Sequence, residues 1–213
     1  MKTNDKIIKV CGMRESQNIR DVISLRPDYM GFIFYAPSKR NAIGIEKEIL
    51  NEIPEDIIPV GVFVDSSIEE ISNVTSFYGI KTVQLHGKET PEMCMKLKKR
   101  DYKIIKAFPI SNEQDDIFDQ MRNYVGGVDY LLFDTAGKMQ GGNGIKFDWS
   151  ILRNYPLEIP YILSGGISME DLGILKHSLP HRCIGIDVNS RFEIEPGLKD
   201  VPLLENFIKE YKS

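Results

Sequence analysis

Eight short apolar runs, each followed by a helical pattern, predict a (β/α)8 barrel for this chain of 213 residues. Three observations carry that expectation. The units recur at roughly 25 residues, no linker or low-complexity gap separates them, and their count and total length suit a closed barrel, which needs about 200 residues or more. A doubly wound open sheet is the competing fold. It more often has fewer strands, and a nucleotide-binding version wants G-x-G-x-x-G after the first strand, where this chain has Cys11-Gly12-Met13-Arg14.

The first unit is the β-branched run Ile7-Ile8-Lys9-Val10, which exits at Cys11, with Ser16 then capping a helix through Leu25. Tyr29 to Phe34 is the second strand. Its exit loop carries Lys39 and Arg40 before a helix around Ile45 to Ile53. Pro59 to Val64 is the third, ending on Asp65, which reads as a capping or loop residue ahead of a helix marked by Ile68, Ile71 and Val74. Thr82 to Leu85 is the fourth and ends on His86-Gly87, with Pro91 opening the next helix as a first-turn proline. Tyr102 to Phe108 is the fifth, followed by a helix at Ile117, Phe118 and Met121. The sixth, Tyr130 to Phe133, ends on Asp134 and Thr135. A loop with Gly141, Gly142 and Gly144 follows, and Asp148 then caps a helix. Tyr161 to Ser164 is the seventh and ends on Gly165-Gly166, ahead of a helix at Leu172 and Leu175. Cys183 to Val188 is the eighth, and Val201, Leu204, Phe207, Ile208 and Tyr211 give the last helix one apolar face.

With 42% hydrophobic and 27% charged residues, the composition is that of an ordinary globular protein, and one domain over residues 1–213 is expected. A net charge of −4 argues against a general binder of nucleic acid or of membrane surfaces, because either wants a concentrated basic face. No apolar signal region and no run of about 18 apolar residues is present. The cytoplasm is therefore the expected location. Cys11, Cys94 and Cys183 are odd in number and far apart, so neither a disulfide framework nor a zinc site is expected. Cys94 and Cys183 fall in apolar patterns as small core residues, whereas Cys11 stands at a strand exit.

In a (β/α)8 barrel the active site is built at the C-terminal ends of the strands. Those exits carry Cys11, Arg40, Asp65, His86, Asp134, Gly165-Gly166 and Asp187. Asp187 lies between Ile186 and Val188, where an ionised carboxylate must be partnered or functional. Gly165 and Gly166, with Asn189 and Ser190 after the eighth strand, occupy the place where such barrels often hold phosphate on backbone N–H groups. A thiol, a carboxyl and a phosphate anchor, with no metal or cofactor motif, point to acid/base isomerisation of a small phosphorylated carbohydrate. That chemistry needs Cys11 as a thiolate, so its pKa is expected to be lowered, and Asp134 partly protonated through desolvation under the glycine loop.

The ordered segments resemble the phosphoribosylanthranilate isomerase family of tryptophan biosynthesis. They include Lys9-Val10-Cys11-Gly12, Pro37-Ser38-Lys39-Arg40, Gln84-Leu85-His86-Gly87, Phe133-Asp134-Thr135, Phe147-Asp148-Trp149, Ser164-Gly165-Gly166 and Asp187-Val188-Asn189-Ser190, with Glu193 and Pro196-Gly197-Leu198-Lys199-Asp200. The resemblance implies an Amadori rearrangement of N-(5-phosphoribosyl)anthranilate to 1-(2-carboxyphenylamino)-1-deoxyribulose 5-phosphate, without cofactor or metal. It makes Cys11 the base at ribose C2, Asp134 the acid at the ring oxygen and Arg40 the ligand of the anthranilate carboxylate. Phosphate falls to Gly165, Gly166, Asn189 and Ser190, and Gly142 to a loop over the site. His86 lines the pocket, and Asp187 organises its floor or the aromatic amine. The phosphorylated small molecule is the expected partner, taken by a monomer or a homodimer. Asn189-Ser190-Arg191 departs from the commoner Ser-Gly, and Arg14 replaces a small hydroxyl residue. Indole-3-glycerol phosphate synthase is the nearest enzyme alternative, disfavoured because the third strand has no lysine. A noncatalytic phosphate-binding barrel is the alternative from another class.

Overall fold

A computed structural model describes residues 6–111, 117–135, 148–177, 179–180 and 182–213. Eight parallel strands close on themselves in chain order: β1 Ile7–Cys11, β2 Tyr29–Ile33, β3 Ile58–Phe63, β4 Thr82–Leu85, β5 Lys103–Ile110, β6 Tyr130–Thr135, β7 Tyr161–Leu163 and β8 Cys183–Val188. The outer layer holds α1 Ser16–Ser24, α2 Lys47–Asn51, α3 Ile68–Tyr78, α4 Pro91–Lys98, α5 Ile117–Arg122, α6 Leu172–His177 and α7 Val201–Lys212. No helix among the described residues is long and apolar enough to cross a membrane.

Two apolar compartments follow from the period-2 alternation of the strands. Ile8, Val10, Met30, Phe32, Leu131 and Phe133 face the helices. Cys11, Tyr29, Val60, Val62, Ile105, Ala107, Leu132 and Ile162 fill the barrel itself. At the base of the barrel the Lys103 ammonium lies 4.7 Å over the Tyr130 ring and donates to Tyr29 Oη at 3.3 Å.

Several expected bounds shift, each for a local reason. Ser16 is the first residue of α1 and Glu15 stands at the cap. The second helix contracts to Lys47–Asn51, between Gly44 in a left-handed conformation (φ 86°) and Pro54, which cannot continue a helix. β5 runs on to Ile110 because Pro109 and Ile110 still pair with Asp134 and Thr135 of β6. Asp148 caps as expected, with Oδ1 accepting from Ser150 N at 2.9 Å, but what it opens is a 3-10 segment, Trp149–Asn154. The cap of α3 is Ser67, paired reciprocally with Glu70. Asp65 is a loop residue in the left-handed region (φ 52°), its Oδ1 accepting from Lys88 N. After β8 a short hairpin not expected from the sequence, β9 Glu193–Glu195 with β10 Leu198–Lys199, turns at Gly197 and feeds α7.

One irregularity decides which face a carboxylate takes. Between β7 and β8 the register jumps from Tyr161↔Cys183 to Ile162↔Gly185, so Ile184 is the extra residue of a bulge. Ile184 packs with the barrel interior. Strict alternation from it would turn Asp187 outward, whereas the bulge rephases the strand and brings Asp187 inside, opposite Lys9 of β1.

A second buried charge pair links the middle of β5 to the loop after β4. Lys106 Nζ is 3.2 Å from Glu89 Oε2 and donates to the carbonyls of Leu85, Gly87 and Ala107. Glu89 also accepts from the amides of Asp65 and Gly87, so the pair ties the exits of β3 and β4 to the middle of β5. Removing one partner leaves an uncompensated buried charge. Glu89→Ala is expected to cost about 3–5 kcal/mol in urea unfolding, and a loss within the few tenths typical of surface substitutions would show that the pair does not anchor these loops.

Candidate active site

Lys9 and Cys11 are alternate residues of β1 and share the inner face. Lys9 Nζ is 2.9 Å from Asp187 Oδ1, and both side chains are buried. Room for them comes from Gly31, paired with Cys11 across β2: a Cβ there would stand 2.7 Å from Cys11 Sγ and 3.1 Å from Lys9 Nζ. Burial pushes the Cys11 thiol up, and the opposing pull of Lys9 and Lys199 does not overcome it. The expected lowering of the Cys11 pKa is therefore corrected. The barrel interior desolvates a thiolate more than the neighbouring cations stabilise it. Burial likewise raises Asp187, with repulsion from Asp134 adding to it and Lys9 opposing it. Against its own burial, attraction to Asp187 and Cys11 holds Lys9 above the ordinary lysine value.

Beside this group stands a chain of cation and anion. Arg40 directs Nε and Nη2 onto Glu193 at 2.9 and 2.6 Å, and Lys199 Nζ donates to Glu193 Oε1 and to Asn189 Oδ1, each at 2.7 Å. The β9–β10 hairpin thus delivers a buried ammonium to the rim, with Gly197 N closing onto Glu193. Gly12 allows the approach: at φ 79°, a Cβ there would lie 2.7 Å from Asn189 Oδ1 and 2.8 Å from Arg40 Cδ. Arg40's fork, expected to meet a carboxylate, already meets one from the protein.

Across the mouth, His86 Nε2 is 3.4 Å from Asp134 Oδ2, with the two side chains 33% and 32% exposed. Gln84 Nε2 lies 2.8 Å from His86 Nδ1. As placed, the amide donates to Nδ1, which leaves the ring proton on Nε2, facing Asp134. Asp134 Oδ1 accepts from Thr135 N at 2.9 Å. Gly165 and Gly166 are consecutive left-handed residues (φ 92° and 70°), and a Cβ on Gly165 would collide with Thr135 Oγ1. Only a glycine fits that approach between the ends of β6 and β7. Ser190 opens a 3-10 turn, Ser190–Phe192. Gly142, with the rest of 136–147, lies outside the described residues. Away from the mouth, burial raises the thiols of Cys94 and Cys183 to about 11 and about 12.

Lys9, Glu193 and Lys199 lie in segments that carry the family resemblance, but the sequence assigns them no role at the site. Lys9 carries the same signal that singled out Asp187, a charge inside an apolar β-branched run. Lys199 and Glu193 show no such signal, because the hairpin that buries them has no periodicity of its own.

An eight-stranded parallel barrel with a thiol, a carboxyl, an imidazole and a left-handed glycine pair at one mouth defines a (β/α)8-barrel enzyme. The family model for N-(5'phosphoribosyl)anthranilate (PRA) isomerase matches residues 8–210. The chain belongs to that family. It is 50% identical to the N-(5'-phosphoribosyl)anthranilate isomerase of Parabacteroides distasonis over 96% of this chain and 92% of the relative, and 43% identical to that of Phocaeicola vulgatus over 97% and 98%. Among solved structures it superposes on phosphoribosyl anthranilate isomerase from Thermotoga maritima with a TM-score of 0.83 at 33% identity, covering 98% and 99% of the two chains. A further solved phosphoribosyl anthranilate isomerase, in complex with reduced 1-(o-carboxyphenylamino)-1-deoxyribulose 5-phosphate, gives 0.78 at 31% identity over 98% and 99%.

Arg40 and Lys199 hold Glu193 below the ordinary carboxylate value of 4.5 although burial opposes them. A carboxyl depressed in the folded state contributes stability above its unfolded pKa and loses it as pH falls through the folded value. Glu193→Gln is therefore expected to lower stability at neutral pH by about 1–3 kcal/mol, with the gap to wild type closing below pH 4.5 in urea titrations. A gap independent of pH would contradict the ion-pair account.

Proposed function

We infer that this chain catalyses the Amadori rearrangement of N-(5-phosphoribosyl)anthranilate to 1-(2-carboxyphenylamino)-1-deoxyribulose 5-phosphate in tryptophan biosynthesis, with Cys11 as general base and Asp134 as general acid. The observation that supports these roles best is placement: Cys11 ends β1 and Asp134 stands near the end of β6, at the same mouth of one barrel. Asp134 protonates the furanose ring oxygen as the bond from C1 to that oxygen breaks, and the nitrogen lone pair forms the C1 iminium. Cys11 then removes the C2 proton. The released electron pair moves toward the iminium, giving an enolamine that tautomerises to the ketose. Substrate and product are isomers, so the sequence needs no oxidant or reductant.

The rest of the mouth serves binding and orientation. Backbone N–H groups around Gly165 and Gly166, with Asn189 and Ser190, take the phosphate. Arg40 takes the anthranilate carboxylate, which requires its fork to turn from Glu193 or to share it. His86 orients Asp134, and Asp187 faces the aromatic amine. The enzyme works in the cytoplasm as one barrel domain over residues 1–213.

Cys11→Ser and Asp134→Asn are each expected to reduce kcat by on the order of a hundredfold or more with folding intact, followed as loss of substrate fluorescence. Near-wild-type turnover in either variant removes that residue from its role. Arg40→Ala should act chiefly on KM, and an unchanged KM would place the substrate carboxylate elsewhere.

A further inference from the structure

A lysine inside a barrel of apolar side chains is costly, and Asp187 offsets that cost as its ion-pair partner. The placement of Lys9 does more than close a pair. Its ammonium and the Cys11 sulfur converge over the bare Cα of Gly31, where a single added carbon would touch both. We propose that Lys9 is a positioning residue for the base, its buried ammonium shared between Asp187 and Cys11 so that the thiolate forms against a fixed positive charge. The proposal rests on the reading of Cys11 as base.

Charge balance gives it content. With Cys11 as a thiol, Lys9 and Asp187 are a neutral pair. Ionising Cys11 places a second anion on the same cation, and the two anions then compete. Other charges bear on the group from neighbouring elements. Lys199 of β10 attracts the Cys11 thiolate and is itself held by Glu193, which Arg40 also binds. Asp134 of β6 and His86 beyond β4 act on Asp187 from across the mouth. Asp187 pushes the Cys11 thiol up and Lys9 pulls it down. Neutralising Asp187 should therefore free Lys9 for the thiolate.

The test is a titration of Cys11 that does not depend on catalysis. Iodoacetamide alkylation of the Cys11 peptide, followed by mass spectrometry across pH, reads the thiol midpoint apart from Cys94 and Cys183. Asp187→Asn, which keeps an oxygen for Lys9 to bond, is expected to lower that midpoint relative to wild type. Adding Lys9→Met in the same background removes cation and anion together and should raise it by about one pH unit or more above Asp187→Asn. A purely structural Lys9 predicts equal midpoints in the two variants, which would overturn the proposal. Should the Lys9→Met double variant not fold, Asp187→Asn with Lys9→Gln, which keeps a polar side chain of similar length, is titrated in its place, and a midpoint equal to that of Asp187→Asn alone overturns the proposal. Activity of Cys11→Ser is a separate readout. Were that variant fully active, the base assignment would fall while the Lys9 titration still stood or failed on its own.

Discussion

The seam between β1 and β8 is where the barrel closes, and the ion pair of Lys9 and Asp187 sits on it as register partners. Much of the mouth is arranged around that pair. It obliges Gly31 to carry no side chain, since both Lys9 Nζ and Cys11 Sγ occupy the space above it. It also obliges β8 to carry the bulge at Ile184, since without the rephasing Asp187 would face the helices. A bulge in a short central strand disrupts the ladder locally, and here the disruption points a carboxylate at a lysine.

Three groups of buried or half-buried charge surround the opening: Lys9 with Asp187, Arg40 with Glu193 and Lys199, and Lys106 with Glu89. Such pairs add little net stability over apolar residues of equal volume, because desolvation offsets their attraction. Their consequence is geometric. They join separate elements, so the loop after β2 is tied to the β9–β10 hairpin, and the exits of β3 and β4 are tied to the middle of β5. A mouth braced in this way holds Cys11 and Asp134 on separate strands at fixed places, as an acid and a base working on one substrate require.

The eight strands were legible because hydrophobic alternation and βα spacing are local signals, and Cys11, His86, Asp134 and Gly165 were legible because the barrel rule turns strand exits into a list. Asp187 was caught as a charge among β-branched residues. Lys9 and Lys106 carry the same mark, and each has its partner on another strand or loop. What one chain segment cannot show is pairing across the fold. The Ile184 bulge, the turn of Arg40 toward Glu193 and the burial of Lys199 by a hairpin all depend on residues tens of positions away. The Cys11 pKa departs from expectation for the same reason: the depth of burial that raises it, against the pull of Lys9 and Lys199, is a property of the closed barrel.

The most direct test is the structure of this protein with reduced 1-(o-carboxyphenylamino)-1-deoxyribulose 5-phosphate bound. The account predicts the phosphate on the Gly165–Gly166 backbone beside Asn189 and Ser190, the sugar carbons between Cys11 Sγ and Asp134, and the carboxylate on Arg40. A ligand lying with its phosphate away from the glycine pair, or with neither Cys11 nor Asp134 against the sugar chain, would contradict it.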